Sequence, residues 1–100
     1  MDLHIQILDE VEIFLRSIPD KERAKALASI AMMQTGDVRV VVTRKINRSI
    51  RELKVKQRRI LYFQEGDTLY FVGGFTKKSQ KTPKREIENA KRIQKLISLK

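Results

Sequence analysis

One hundred residues make one domain with room for a modest core, and a net charge of +10 calls for either an anionic partner or a solvated basic surface. The absence of cysteine rules out a disulfide framework and a thiolate metal site, and a single histidine, His4, leaves little for imidazole chemistry. Residues 1–18 carry Asp2, Asp9, Glu10 and Glu12 without a basic leader, and no apolar run nears the roughly 20 residues that span a bilayer, so the expectation is a cytoplasmic protein with no membrane partner.

In chain order, Leu8, Val11, Leu15 and Ile18, with Phe14 beside them, fall at helical spacing and predict an amphipathic helix that ends before Pro19. Met1 to Ile7 reads either as a short strand or as the first turn of that helix. Asp20 offers an N-cap, and Ala24, Leu27, Ala28 and Ala31 predict the apolar face of a second helix that stops near Gly36. The two helices form an αα-hairpin suited to covering one face of a sheet, with Met32 and Met33 as packing material.

Val38 to Thr43 is β-branched enough for a strand, whereas Arg44 to Arg48 breaks the alternation and predicts a loop or a single helical turn. The charge balance changes at this point. Residues 1–43 hold five Lys/Arg against seven Asp/Glu, and residues 44–100 hold seventeen against five, so the whole excess lies with the sheet. From Ser49 the alternation resumes, predicting Leu53 and Val55 inward and Glu52, Lys54 and Lys56 toward solvent.

Leu61-Tyr62-Phe63 and Leu69-Tyr70-Phe71-Val72 flank Glu65-Gly66-Asp67, which predicts an antiparallel hairpin. Such a hairpin returns its end to its start. Lys54, Lys56, Arg58 and Arg59 before it should therefore meet Lys77, Lys78 and Lys81 after it at one end of the sheet. Arg59 shares the parity of Leu61 and Phe63, so it either snorkels at the rim or lines a site. Gly73-Gly74 marks a bulge or a close approach, and Tyr62, Tyr70 and Phe75 are expected in the core. Thr82 as N-cap and Pro83 at the first helical position begin a last helix with an Ile87, Ala90, Ile93 and Ile97 stripe and a basic outer face.

These pieces, Glu52-Leu53-Lys54, Arg59-Ile60-Leu61-Tyr62, and Phe75-Thr76-Lys77-Lys78 with Gln80-Lys81-Thr82-Pro83, resemble at matching spacing the HigB-type toxins of the RelE/ParE superfamily, in the subgroup first noted in phage. The resemblance implies a single RelE-like α+β domain over residues 1–100: an N-terminal helical hairpin packed on a small, mainly antiparallel sheet, with a C-terminal helix. It implies the toxin of a type II toxin–antitoxin system, a ribosome-dependent endoribonuclease that cuts mRNA and is neutralised by a HigA-like helix-turn-helix antitoxin. No cofactor or metal is expected. By the same resemblance Lys54 and Lys56 include the general base, Arg59 holds the scissile phosphate, and Lys78, with Lys77 beside it, stabilises developing charge or assists the leaving group. Arg51, Arg58, Lys77, Lys81, Lys84 and Arg85 are the expected contacts to RNA or ribosome.

Two features depart from the family pattern. Thr82-Pro83-Lys84 stands where related enzymes often place a base-stacking tyrosine, and the initial strand looks abbreviated or absent. Two other functions compete with the nuclease: a ParE-like inhibitor of DNA gyrase, and a non-catalytic nucleic-acid-binding module.

Overall fold

The structure, a computed structural model that describes residues 2–36, 41–79 and 81–99, runs β1 (His4–Ile7), α1 (Asp9–Ser17), α2 (Asp20–Gln34), β2 (Thr43–Lys45), β3 (Arg51–Val55), β4 (Arg58–Glu65), β5 (Thr68–Thr76) and α3 (Lys84–Ser98). The strands form one sheet in the order β1-β5-β4-β3-β2, antiparallel except for β1, which pairs in parallel with β5. The described residues form a mixed α+β fold of three helices and a five-stranded sheet. Among the described residues no helix is long and apolar enough to cross a membrane.

The β4–β5 hairpin turns on Gly66-Asp67, where Gly66 has a φ of +61°, a left-handed conformation that suits glycine. Alternation along the sheet then makes two cores. Leu53, Val55, Ile60, Tyr62, Leu69 and Phe71 pack under α1 and α2 with Val11, Leu15, Ile18, Ala26, Ile30 and Met33. Ile50, Leu61, Phe63, Val72 and Phe75 pack on the other face with Ala90, Ile93 and Ile97 of α3. Ala90, Ile93 and Ile97 of the expected last-helix stripe are therefore the residues that dock, and α2 stops near Gly36 as expected, its last helical residue being Gln34 and Thr35 its C-cap.

Of the two readings of residues 1–7, the short strand is the one realised, as the four-residue β1, and its partner β5 lies more than sixty residues away, which no local pattern reveals. Several other expectations give way. On α2, Ala24, Leu27, Ala28 and Ala31 face outward, and Ala26, Ile30 and Met33 are buried instead. The helix carries two apolar stripes, and burying Ile30 and Met33 removes more apolar area from water than burying small alanines. Asp20 lies inside α2 rather than capping it, with its carboxylate on Arg23. Arg44 and Lys45 belong to β2, paired with Glu52 and Arg51, so the loop begins only at Ile46; the Val38–Val40 part of the predicted strand lies outside the described residues.

The register of β4 and β5 shifts by one residue, with Tyr62 opposite Phe71 but Leu61 opposite Gly73, so that Val72 is the extra residue of a bulge. Bulging reverses the parity of everything after it. Gly74 then faces α1, where a Cβ would lie 2.7 Å from Phe14 Cγ, while Phe75 moves to the α3 face beside Arg59. Glycine at 74 thus answers the close approach of a side chain.

Candidate functional site

Lys54 and Arg59 are directly opposed across the β3–β4 hairpin, and Arg59 is opposed in turn to Phe75. Directly opposed side chains have Cβ atoms about 4.5–5.5 Å apart, so the first two cations are neighbours by construction. The two-residue turn between the strands is Lys56-Gln57, and Lys56 takes a φ of +55°, unusual for a residue with a Cβ. That turn aims the Lys56 carbonyl at the Arg59 guanidinium. The backbone N–H of Lys77 donates to the Gln57 carbonyl at 2.7 Å, which fastens the end of β5 to the same turn. Because the bulge has already reversed the parity, Lys77 joins the face that carries Arg59 and not the opposite one.

Arg59 is only 7% exposed and held on three sides. Its Nη1 donates to the carbonyls of Lys56 and, at 2.9 Å, Arg58, and its Nε lies 3.4 Å from Glu52 Oε1. Glu52 is fully buried, where the sequence reading puts it toward solvent. An isolated buried carboxylate is costly, and Glu52 is compensated by Arg59 and by Thr82, whose Oγ1 donates to Oε2 at 2.6 Å. Thr82 is consequently not the N-cap of α3. Pro83 occupies that position and its predecessor's hydroxyl ties the basic loop to the sheet. The Glu52–Arg59 contact is an ion pair without hydrogen-bond geometry, leaving Glu52 Oε1 and Arg59 Nε unpartnered among the described residues. The attraction within such a buried pair is offset by the cost of taking both charges out of water, so the pair is weak evidence for stability although losing one partner would be costly.

The cations divide between two hollows that share Arg59. One, of about 540 Å³, is lined by Gln57, Arg59, Lys77, Lys78 and Ser79. The other, of about 260 Å³, is lined by Lys25, Ser29, Val42, Lys54, Lys56 and Arg59. The Lys77 ammonium is held below the usual lysine range, first by desolvation, then by Arg44 and less by Arg59 and Lys54, with Glu52 acting in the opposite direction. Such a lysine gives up its proton more readily than an ordinary one.

Of the ten cations singled out in the sequence, Lys54, Lys56, Arg59, Lys77 and Lys78 line these hollows. Lys81 and Lys84 are exposed nearby in chain order but line neither. Arg58 points to the opposite face, where its Nε donates to Glu22 Oε1 at 2.9 Å and its Nη1 to Thr76 Oγ1 at 2.7 Å. Arg51 lies at the far end of β3, with Thr43 Oγ1 at 3.2 Å, over an apolar hollow that includes Leu3, Met33 and Tyr62. Arg85 leans toward Glu86, 3.8 Å away, beside Glu10 and Asn89. Among the described residues no three His, Cys, Asp or Glu side chains gather as metal ligands would.

Gln57, Ser79, Lys25 and Ser29 escaped the sequence reading, as did Glu52 and Thr82 in their actual roles. For Glu52 a signal existed: across the hairpin it sits diagonally from Arg59 on the same face, an opposite-charge pair amid apolar neighbours. The aromatic residues Tyr62 and Phe75 are buried, and the rings of Tyr62 and Phe71 pack tilted, 5.3 Å between centroids, as core residues do.

Residues 13–95 match the family described as Phage derived protein Gp49-like (DUF891). The fold is similar to that in the crystal structure of the archaeal RelE–RelB complex from Pyrococcus horikoshii OT3, with a TM-score of 0.62 and 13% identity over 78% of this chain and 98% of that one. No curated protein matches the chain.

Proposed function

Because the chain belongs to the phage-derived Gp49-like family and has a RelE-like fold, we propose that it is the toxin of a toxin–antitoxin system and acts as a ribosome-dependent endoribonuclease on mRNA. The observation that carries this reading is Arg59, buried, oriented by Glu52 and two carbonyls, and set in the wall between two groups of lysines. A guanidinium fixed in advance stabilises charge as it develops without reorganising at the moment of reaction.

In this proposal the scissile phosphate binds Arg59. Lys54 and Lys56, on one side, accept the proton of the ribose 2′-hydroxyl as its oxygen bonds to phosphorus. The bond from phosphorus to the 5′-oxygen breaks, and that oxygen takes a proton from the Lys77–Lys78 side, leaving a 2′,3′-cyclic phosphate and a 5′-hydroxyl. The lowered proton affinity of Lys77 supports the donor role, since a general acid works best with a pKa drawn toward the working pH.

The archaeal neighbour is a RelE–RelB complex, which supports an antitoxin partner here, and we assign that partner to the HigA-like helix-turn-helix class. Arg59→Ala should lower the rate of ribosome-dependent cleavage roughly 10²–10³-fold, the usual loss on removing one charge-stabilising donor. Cleavage at the wild-type rate by that variant would remove the proposed site.

A further inference from the structure

The hollow of about 260 Å³ between α2 and the β3–β4 turn holds more cation than the proposed reaction uses. Lys25 comes to it from α2, and Ser29, one helical turn later, presents its hydroxyl on the same face. Lys54, Lys56 and Arg59 close the other sides, and among the described residues that line it none is a carboxylate. Arg59 has Glu52 as its counter-charge, but the three lysines that share the hollow raise one another's energy, and an anion relieves that most effectively. Val42, 61% exposed, adds an apolar surface to the same wall. A small inorganic anion has no use for such a surface, whereas a nucleotide brings a phosphate for the lysines and a base or sugar for the valine. Ser29 Oγ now donates to the Lys25 carbonyl at 2.9 Å, and a rotation about its side chain frees it to donate to a phosphate oxygen.

We propose that this hollow is a second nucleotide subsite, in which Lys25 and Ser29 hold the phosphate of single-stranded RNA adjacent to the one on Arg59 while Val42 supports the neighbouring nucleoside. The inference rests on the RNA-cleaving reading above and extends it, giving the strand a track that runs from the Lys77–Lys78 hollow past Arg59 and along α2. It also assigns work to the α2 surface apart from covering the core.

The test uses the full chain and a single-stranded RNA oligonucleotide blocked by 2′-O-methyl groups, with affinity measured by fluorescence anisotropy over a range of salt. Lys25→Ala should weaken binding roughly two- to fivefold and reduce the steepness of log K against log salt by about 0.7, the value for one phosphate contact on a single strand. Lys91→Ala, on the outer face of α3, should change neither. In the cleavage assay Lys25→Ala should raise KM and leave kcat unchanged.

Unchanged affinity and salt slope in Lys25→Ala, with Arg59→Ala still impaired, would overturn the subsite and leave the hollow as surface charge. Tighter binding of duplex DNA than of the RNA would overturn its assignment to single-stranded RNA. If the wild type binds but never cleaves, while Lys25→Ala still loses slope, the nuclease reading falls and the subsite stands.

Discussion

Arg58 and Arg59 leave the same strand in opposite directions and meet different surroundings. On the α2 face Arg58 is neutralised by Glu22 and bonded to Thr76, a closed arrangement in which the charge serves to hold a helix to the sheet. On the α3 face Arg59 is bound by Glu52 and two carbonyls, yet it remains the common wall of two hollows full of lysines. Under the proposed function, two adjacent residues of one type thus divide structural work from chemical work. Sheet parity is what separates them.

The contrast is sharpest at Glu52. Glu52→Ala leaves Arg59 without its counter-charge in a buried position and should cost about 3–5 kcal/mol of unfolding free energy in denaturant titrations. Glu52→Gln keeps the shape and the Thr82 contact, so comparing the two separates charge from packing. Should Ala prove as stable as wild type, Glu52 would not be holding Arg59 in the way described. Arg58→Ala should cost less, about 1–3 kcal/mol, because its partner Glu22 retains some access to water. Cleavage by that variant should stay within a few-fold of wild type. A hundredfold loss of cleavage in a folded Arg58→Ala protein would erase the distinction between the two arginines.

The smallest effect belongs to Glu86, on α3. Its carboxyl is pushed above the usual range, chiefly by desolvation and further by Glu10, against the pull of Arg85. Since the folded protein binds this proton more tightly than the unfolded chain, the stabilisation is present below the ordinary carboxylate range and is lost as pH rises through the raised value. Glu86→Gln should therefore raise Tm by a few degrees at most at pH 7. The gap to wild type should close as the solution is acidified, and a gap that stayed constant with pH would contradict the assignment.

Much of this arrangement is legible in the sequence wherever the pattern is local. The β4–β5 hairpin, the turn at Gly66, the docking stripe of α3 and the parity of Arg59 all follow from runs shorter than a dozen residues. What is not legible depends on distant partners. The burial of Glu52 needs Thr82, thirty residues on, and the edge strand β1 needs β5. The face that receives Lys77 depends on the bulge at Val72, because a single extra residue decides which side of the sheet every later side chain joins. On α2 two stripes satisfy the same periodicity, and the larger apolar area of Ile30 and Met33 decides which one turns inward. Lys25 lies in the site for the same reason: its helix is rotated to bury Ile30 and Met33.

Whether Arg59 binds the phosphate at which mRNA is cut is read from transcript ends mapped in cells that express the wild type or Arg59→Ala. New ends within translated regions are expected for the wild type, and ends at least roughly a hundredfold rarer for a variant whose melting shows it to be folded. The same ends at undiminished frequency with Arg59→Ala, or broken DNA beside intact transcripts, would contradict that role.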